Sequence, residues 1–310
     1  LEKDWCSTEV SRIVDELLAN VRGSVFNSTK RYMYLSQRLK RVLARAVWLI
    51  AEHIKRSSFE PLGYEVTFSE NGEFPPITIE LPSGEKINLT GRIDRIDTMT
   101  TEEGTYLRII DYKSGKKDFS LSDVYYGLEL QLITYMDAIW EKGGKSITKP
   151  ISPGGMLYFR IDDPIIRAGR EASDEDIEKA LMKELKMDGL LLADVKLIKE
   201  MDREIDGYSL IIPARINKGD ILGKSSAATL EQFELLKKHA RKLLAEIGNE
   251  MMRGNISIKP YKKRGFTSCS YCRYTSICHF DTAFKNNTYT LLNDLKEQEV
   301  WEMMKIEQMD

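Results

Sequence analysis

The sequence Asp-Tyr-Lys-Ser-Gly at residues 111–115 decides the expected fold, together with Gly-Arg-Ile-Asp-Arg at residues 91–95. Each segment adjoins a short apolar stretch, and a polar turn at residues 100–104 separates them. Two apolar runs joined by such a turn predict a β-hairpin. Asp111 and Lys113 are two residues apart, so on a strand their side chains project from the same face. The pattern therefore predicts a carboxylate beside an ammonium, with another carboxylate on the neighbouring strand.

These residue types suit a site for Mg²⁺ and a phosphate. Mg²⁺ prefers oxygen ligands, so we expect Asp94, Asp111 and the backbone carbonyl of Tyr112 to bind it. Lys113 would stabilise charge in the transition state or orient a water. Asp97 is interpreted as a turn residue that faces away from Asp94. Because an isolated Asp-x-Lys is usually a solvated pair on a strand, the hypothesis depends on the whole combination.

A helix is predicted over residues 122–141, and it carries Gln131 and Tyr135. These two residues are four apart, so both point to one side of the helix. They could hold the lysine, the water or a DNA backbone. The helix follows predicted strands at 62–69, 76–81, 86–96 and 105–113 and precedes one at 156–161.

At these motifs the chain resembles the RecB-type nuclease domain of the PD-(D/E)xK superfamily. The resemblance is closest to the C-terminal part of AddB, one of the two chains of a bacterial helicase–nuclease. The segments that carry it are at 91–97, 110–114, 124–135, 189–194 and 269–278. The fold that it implies is α/β (α+β, mixed sheet), with a restriction-endonuclease-like core, helical flanks and a C-terminal iron–sulfur cysteine segment.

The resemblance also implies roles for individual residues. Asp94 and Asp111 would bind the metal, Lys113 would be catalytic, and Gln131 and Tyr135 would line the site. The implied activity is Mg²⁺-dependent DNA exonuclease action on the strand that ends 5′ at a double-strand break. The implied partners are single-stranded DNA at a break end and an AddA-like helicase subunit.

In that family a metal-binding histidine lies upstream of the region where this chain starts. Among the histidines of this chain, His53 falls within a predicted helix at 28–56. We interpret it as an ordinary helix residue and not as a substitute ligand.

Three cysteines, Cys269, Cys272 and Cys278, lie close together in a segment that has no long apolar run. Metal ligation by thiolates would supply folding free energy to such a segment. The residues leave zinc and an iron–sulfur cluster open, with His279 as a further zinc ligand, and the resemblance favours [4Fe–4S]. Cys6 could be a fourth ligand, but we interpret it as a half-buried free thiol.

Composition predicts a globular protein without a membrane span. The chain has 310 residues, of which 42% are hydrophobic and 30% charged, and its net charge is −2. It contains no run of 18 apolar residues and no signal-peptide pattern, so we expect a cytoplasmic bacterial protein. Near-neutral charge does not indicate nucleic-acid binding. Basic and aromatic residues do interleave around the cysteines, which suits a single strand; the candidate DNA contacts are Lys262, Lys263, Arg264, Tyr271 and Arg273.

The expected organisation has five parts, and two functions compete with the nuclease. The parts are N-terminal helices (1–60), a nuclease core (61–165), an insertion (166–225), a C-terminal helix with the cysteine segment (226–284) and a tail (285–310). One alternative is a catalytically silent DNA-binding scaffold in a helicase complex. The other is a zinc-bearing interaction module that docks the helicase subunit.

Overall fold

Short runs of β-branched and other apolar residues form the strands of a mixed sheet, and longer amphipathic segments form the helices. The computed structural model describes residues 2–20, 29–141, 143, 147–167, 169 and 171–308. The helices are α1 (Lys3–Ala19), α2 (Lys30–Arg56), α3 (Leu121–Tyr125), α4 (Gln131–Trp140), α5 (Asp174–Glu184), α6 (Val195–Met201), α7 (Leu230–Met252), α8 (Thr275–Cys278) and α9 (Glu297–Ile306).

The strands fall into one large sheet and several small ones. They are β1 (Glu60–Phe68), β2 (Ile77–Glu80), β3 (Lys86–Leu89), β4 (Gly91–Thr100), β5 (Thr105–Lys113), β6 (Ile151–Arg160), β7 (Asp188–Leu192), β8 (Gly207–Tyr208), β9 (Arg215–Asn217), β10 (Ile221–Leu222), β11 (Ala227–Ala228), β12 (Tyr261–Lys263), β13 (Phe266–Thr267) and β14 (Thr290–Leu291). The large sheet has the order β1-β4-β5-β6-β7-β11. Its β5–β6 and β7–β11 pairs are parallel, and its other pairs are antiparallel.

The chain divides into two compact units. Unit 1 comprises Leu1–Pro75, Thr90–Phe119 and Tyr135–Leu230, and it contains the large sheet. Unit 2 comprises Pro76–Leu89, Ser120–Thr134 and Glu231–Asp310. The strands of unit 2 form the β2–β3 hairpin and the β13-β12-β14 sheet.

The predicted hairpin is confirmed, and it is the β4–β5 pair. The register places Arg95 opposite Ile110 and Thr100 opposite Thr105. Two predicted elements are each divided in two. The strand at 86–96 separates into β3 and β4, and the helix at 122–141 separates into α3 and α4. Gly127, with a φ of +72°, lies between those helices, a conformation that glycine adopts without steric cost. The predicted helix start at residue 28 lies outside the described residues.

Asp97 is buried on β4, so its interpretation as a turn residue is wrong. Its side chain is fully inaccessible. It accepts hydrogen bonds from Nε of Arg95 at 2.6 Å and from Nη2 of Arg108 at 2.6 Å. Arg108 also donates to Oγ of Ser57, at the end of α2, at 3.2 Å. A charged network therefore joins α2 to one face of the hairpin.

His53 of α2 lies beside this network. Its side chain is buried, and its ring meets the edge of Phe159 at 5.5 Å between centroids. Burial lowers the pKa of His53 to about 3, and the charges of Arg108, Arg95 and Arg56 add to the effect. The imidazole is therefore neutral in the folded protein.

This lowered pKa makes stability depend on pH. Below pH 6.5 the unfolded chain binds a proton at His53 that the folded chain does not, so stability falls as pH falls from 6.5 towards 3. Between about pH 7.5 and about pH 5 we expect His53 to account for a loss of about 2 kcal/mol. Urea denaturation at the two pH values should show a smaller loss in His53→Leu than in the wild type. Equal losses in the two proteins would contradict this assignment.

In unit 2 the C-terminal helix α9 is docked rather than free. Val300 and Met304 are buried on it. Glu307, which follows α9, accepts a hydrogen bond from Tyr125 Oη at 2.7 Å and lies 3.2 Å from Nδ1 of His239. These contacts join α9 to α3 and α7.

Hydropathy gives no sign of a bilayer segment in the part of the chain that the structure describes. None of its helices is both long enough and apolar enough to cross a membrane.

Candidate active site

Two neighbouring strands bring Asp94 and Asp111 together. The β4–β5 register pairs Arg95 with Ile110, so the two acids are the next residues along the ladder. Oδ2 of Asp94 accepts a hydrogen bond from the backbone N–H of Tyr112 at 2.8 Å. This bond fixes the Asp94 side chain across the hairpin and leaves its other oxygen for a further ligand.

Lys113 lies beside Asp111, as two-residue spacing on a strand predicts. Its Nζ is 2.5 Å from Oδ2 of Asp111. The same ammonium lies 5.4 Å from the centre of the Tyr158 ring, which belongs to the adjacent strand β6. Tyr158 was not identified from the sequence, because a tyrosine in an apolar strand looks like an ordinary core residue.

The environment of Asp111 is unfavourable for a lone carboxylate. The residue is only 2% exposed. Burial raises the pKa of Asp111, the Lys113 ammonium lowers it, and the nearby charge of Asp94 raises it. Oδ2 is buried, and apart from its ion-pair contact with Lys113 no hydrogen bond of good geometry reaches it within the described chain.

These observations fit a hard cation at Asp94 and Asp111. A buried carboxylate oxygen without a hydrogen bond, beside a second carboxylate, is a donor set that Mg²⁺ prefers. Across the described ranges, no group of three His, Cys, Asp or Glu side chains is placed to hold a metal. The remaining coordination positions would therefore fall to backbone oxygen, water and substrate. The carbonyl of Tyr112 as a ligand stays a prediction.

His53 is on the other face of the sheet from these acids. Side chains alternate along a strand, so Arg95 and Asp97 project opposite to Asp94. The charges of Arg95 and Arg108 act on His53, and Arg108 bonds to Ser57 at the end of the same helix. This position agrees with the interpretation of His53 as a residue that does not bind the metal.

Gln131 and Tyr135 lie on α4. Gln131 is its first residue and is exposed. Tyr135 is half-buried, and its ring meets the edge of Phe68 with centroids 5.9 Å apart. Their roles in the site remain predictions.

The cysteines are free thiols, and the described structure does not gather them into a metal site. Cys6 is fully buried in the core of unit 1 beside α2 residues such as Trp48 and Leu49. The interpretation of Cys6 as a free thiol is confirmed, although it is wholly rather than half buried. Cys272 is exposed, and Cys269 and Cys278 are half-buried.

The basic segment before the cysteines is more structured than its composition indicates. Lys263 is only 6% exposed. Its ammonium donates to Oγ of Ser122 at 2.7 Å and forms ion pairs with Asp123 and Asp294. An ammonium held inside the protein in this way cannot also meet a phosphate, so we remove Lys263 from the candidate DNA contacts.

The other candidate DNA contacts differ in their surroundings. Arg264 is exposed and paired with Asp294. Lys262 lies 5.8 Å from the centre of the Tyr289 ring. Tyr271 is 88% exposed, and Arg273 is also exposed. Contact of these residues with DNA stays a prediction.

Comparison with known proteins places this geometry in context. A subunit of the ATP-dependent helicase/deoxyribonuclease of Acetivibrio thermocellus is 62% identical over 305 residues, which cover 98% of this chain and 27% of that protein. The protein of the same name from Ruminiclostridium cellulolyticum is 59% identical over 303 residues, covering 98% of this chain and 26% of the relative. That of Clostridium novyi is 52% identical over 307 residues, covering 99% and 27%. The chain thus spans about a quarter of the length of these relatives.

A family model agrees with the site. The model of the PD-(D/E)XK nuclease superfamily matches residues 1–279. This match covers both strands of the hairpin and the three side chains that meet there. The chain belongs to the PD-(D/E)XK nuclease superfamily.

Proposed function

We propose that this chain is a Mg²⁺-dependent DNA exonuclease domain of a helicase–nuclease subunit, acting in the cytoplasm on broken DNA. The carrying observation is the constellation of Asp94, Asp111 and Lys113 on one face of the β4–β5 hairpin. The relatives' names support a deoxyribonuclease associated with an ATP-dependent helicase. An AddA-like helicase subunit and a single strand at a break end are the proposed partners.

The chemistry follows from the positions of the chain's own groups. Asp94 and Asp111 would hold Mg²⁺, which when bound polarises the phosphoryl oxygen and makes water more acidic. Lys113 is close enough to this position to stabilise negative charge that develops on the phosphate. The Asp94–Tyr112 hydrogen bond holds the first carboxylate in place, so the site needs little reorganisation before reaction.

Cleavage of end-labelled linear single-stranded DNA tests this function. The full subunit with its helicase partner, and this chain alone, should release labelled nucleotides in Mg²⁺. A 5′ label released first would agree with action on the 5′-ended strand, whereas a 3′ label released first would refute that polarity. Binding without cleavage in either preparation would favour the silent scaffold.

We further propose that Cys269, Cys272 and Cys278 ligate a [4Fe–4S] cluster with a fourth ligand. The support is that the segment is poorly buried: Tyr271 is 88% and Ile277 78% exposed. The helix there, α8, has only four residues. A segment with so little buried apolar surface would be ordered by metal ligation.

Metal content of anaerobically purified protein tests the cluster. We expect iron and acid-labile sulfide in the wild type and in Cys6→Ala, and their loss in Cys272→Ser. Loss in Cys6→Ala as well would make Cys6 the fourth ligand. Stoichiometric zinc without sulfide would instead support the interaction module and overturn the cluster.

A further inference from the structure

A cationic cleft lies next to Lys113 within unit 1. Its volume is about 270 Å³, and five cationic side chains line it together with Tyr158: Lys116, Lys117, Arg160, Lys183 and Lys186. Tyr158 connects the cleft to the candidate active site, because its ring also faces the Lys113 ammonium at 5.4 Å. Arg160 is the direct partner of Lys113 in the parallel β5–β6 register. Neighbouring strands are about 4.8 Å apart, so the cleft begins one strand away from the acids.

The loop that carries Lys116 and Lys117 is anchored at both ends. After Lys113 the chain turns at Gly115, whose φ of +149° is a conformation that favours glycine. At the other end the backbone N–H of Phe119 donates to Oδ2 of Asp188 at 2.8 Å. The two lysines are therefore held on the wall of the cleft by the fold itself.

The positive charge of the cleft is only partly neutralised. Its three carboxylates belong to Asp118, Glu184 and Asp188. Asp188 binds the Phe119 N–H, and Glu184 pairs with Arg160 at 3.3 Å. Neither Lys183 nor Lys186 forms a salt bridge with a carboxylate elsewhere among the described residues. Such a cleft would bind an anion whose charges are spread along its length.

We propose that the cationic cleft binds the backbone phosphates of a single nucleic-acid strand next to the phosphate at Asp94, Asp111 and Lys113. The inference rests on the proposed nuclease function for the position of the scissile phosphate. It goes beyond that function because it assigns strand binding to the loop after β5 and to the segment before β7. A polyanionic strand matches the row of cations, and Tyr158 offers an aromatic face at the junction.

Binding without hydrolysis tests the proposal independently of activity. The probe is a labelled single-stranded oligonucleotide, with Ca²⁺ in place of Mg²⁺. For Lys183→Gln/Lys186→Gln we expect Kd to rise roughly tenfold at low salt. The slope of log Kd against log salt should fall by roughly 1.4, about 0.7 for each lost contact to a single strand.

A matched control uses Lys218→Gln/Lys224→Gln, which removes two lysines of unit 1 outside the cleft. The control should bind like the wild type, and all three proteins should melt alike. Equal Kd and salt slope in the two double variants would overturn the proposal. Complete displacement of the strand by a mononucleotide at the same phosphate concentration would also overturn it, because the cleft would then be a nucleotide site. If the wild type binds as expected but never cleaves, the nuclease function fails while the cleft stands.

Discussion

Asp111→Asn is expected to lower the rate of DNA hydrolysis by about a thousandfold or more. The substitution keeps the size of the side chain but removes the charge that would hold the metal, and a bound metal supplies several kcal/mol of transition-state stabilisation. A loss of about 4 kcal/mol corresponds to a thousandfold in rate. Single-turnover cleavage of labelled single-stranded DNA measures this effect.

The fold should survive this change. Asp111 is buried with an oxygen that lacks a hydrogen bond, so its carboxylate is a cost to the folded state when no metal is bound. The melting temperature of Asp111→Asn should equal or exceed that of the wild type. Asp118→Asn, which alters an exposed acid a few residues along the chain, serves as the control and should keep full activity. Loss of activity through unfolding would contradict the assignment.

Asp97→Asn is expected to destabilise unit 1 by about 3–5 kcal/mol. Asp97 is fully buried and is the counter-charge for two buried guanidinium groups, those of Arg95 and Arg108. Removing one partner of a buried ion pair leaves charge uncompensated in a medium of low dielectric. Urea denaturation followed by circular dichroism measures the loss.

A second Asp–Arg pair provides a matched control. Asp162 pairs with Arg160 where both side chains are partly exposed, at 31% and 19%. Solvent screens this pair, so Asp162→Asn should cost at most about 1 kcal/mol. Similar losses for the two variants would show that burial does not decide the strength of the Asp97 network.

Local sequence predicts the catalytic hairpin well. The spacing of Asp111 and Lys113 and the polar turn at residues 100–104 are properties of adjacent residues, and the structure brings Lys113 to 2.5 Å from Asp111. The position of Asp94 follows from the register of the same hairpin. Period-two alternation therefore suffices to place three chemical groups on one face.

Long-range partners could not be predicted in the same way. Asp97 looks like a turn residue in sequence because its arginine partners, one on each strand, neutralise it only after the sheet and α2 have come together. Lys263 resembles part of a basic surface, yet its partners Ser122, Asp123 and Asp294 are distant in the chain, the nearest of them 31 residues away. Strands β7 and β11 are short, so local sequence gives little indication that they extend the large sheet.

The central claim is that Asp94, Asp111 and Lys113 form a metal-dependent nuclease site. The most direct measurement is the single-turnover rate of single-stranded DNA hydrolysis by the wild type, in the full subunit with its helicase partner, as Mg²⁺ is varied. We predict that hydrolysis rises with Mg²⁺ to a plateau, disappears in EDTA and returns when Mg²⁺ is restored, while Asp111→Asn stays at background throughout. A rate that is independent of Mg²⁺, or an Asp111→Asn variant that follows the wild-type curve, would contradict the claim.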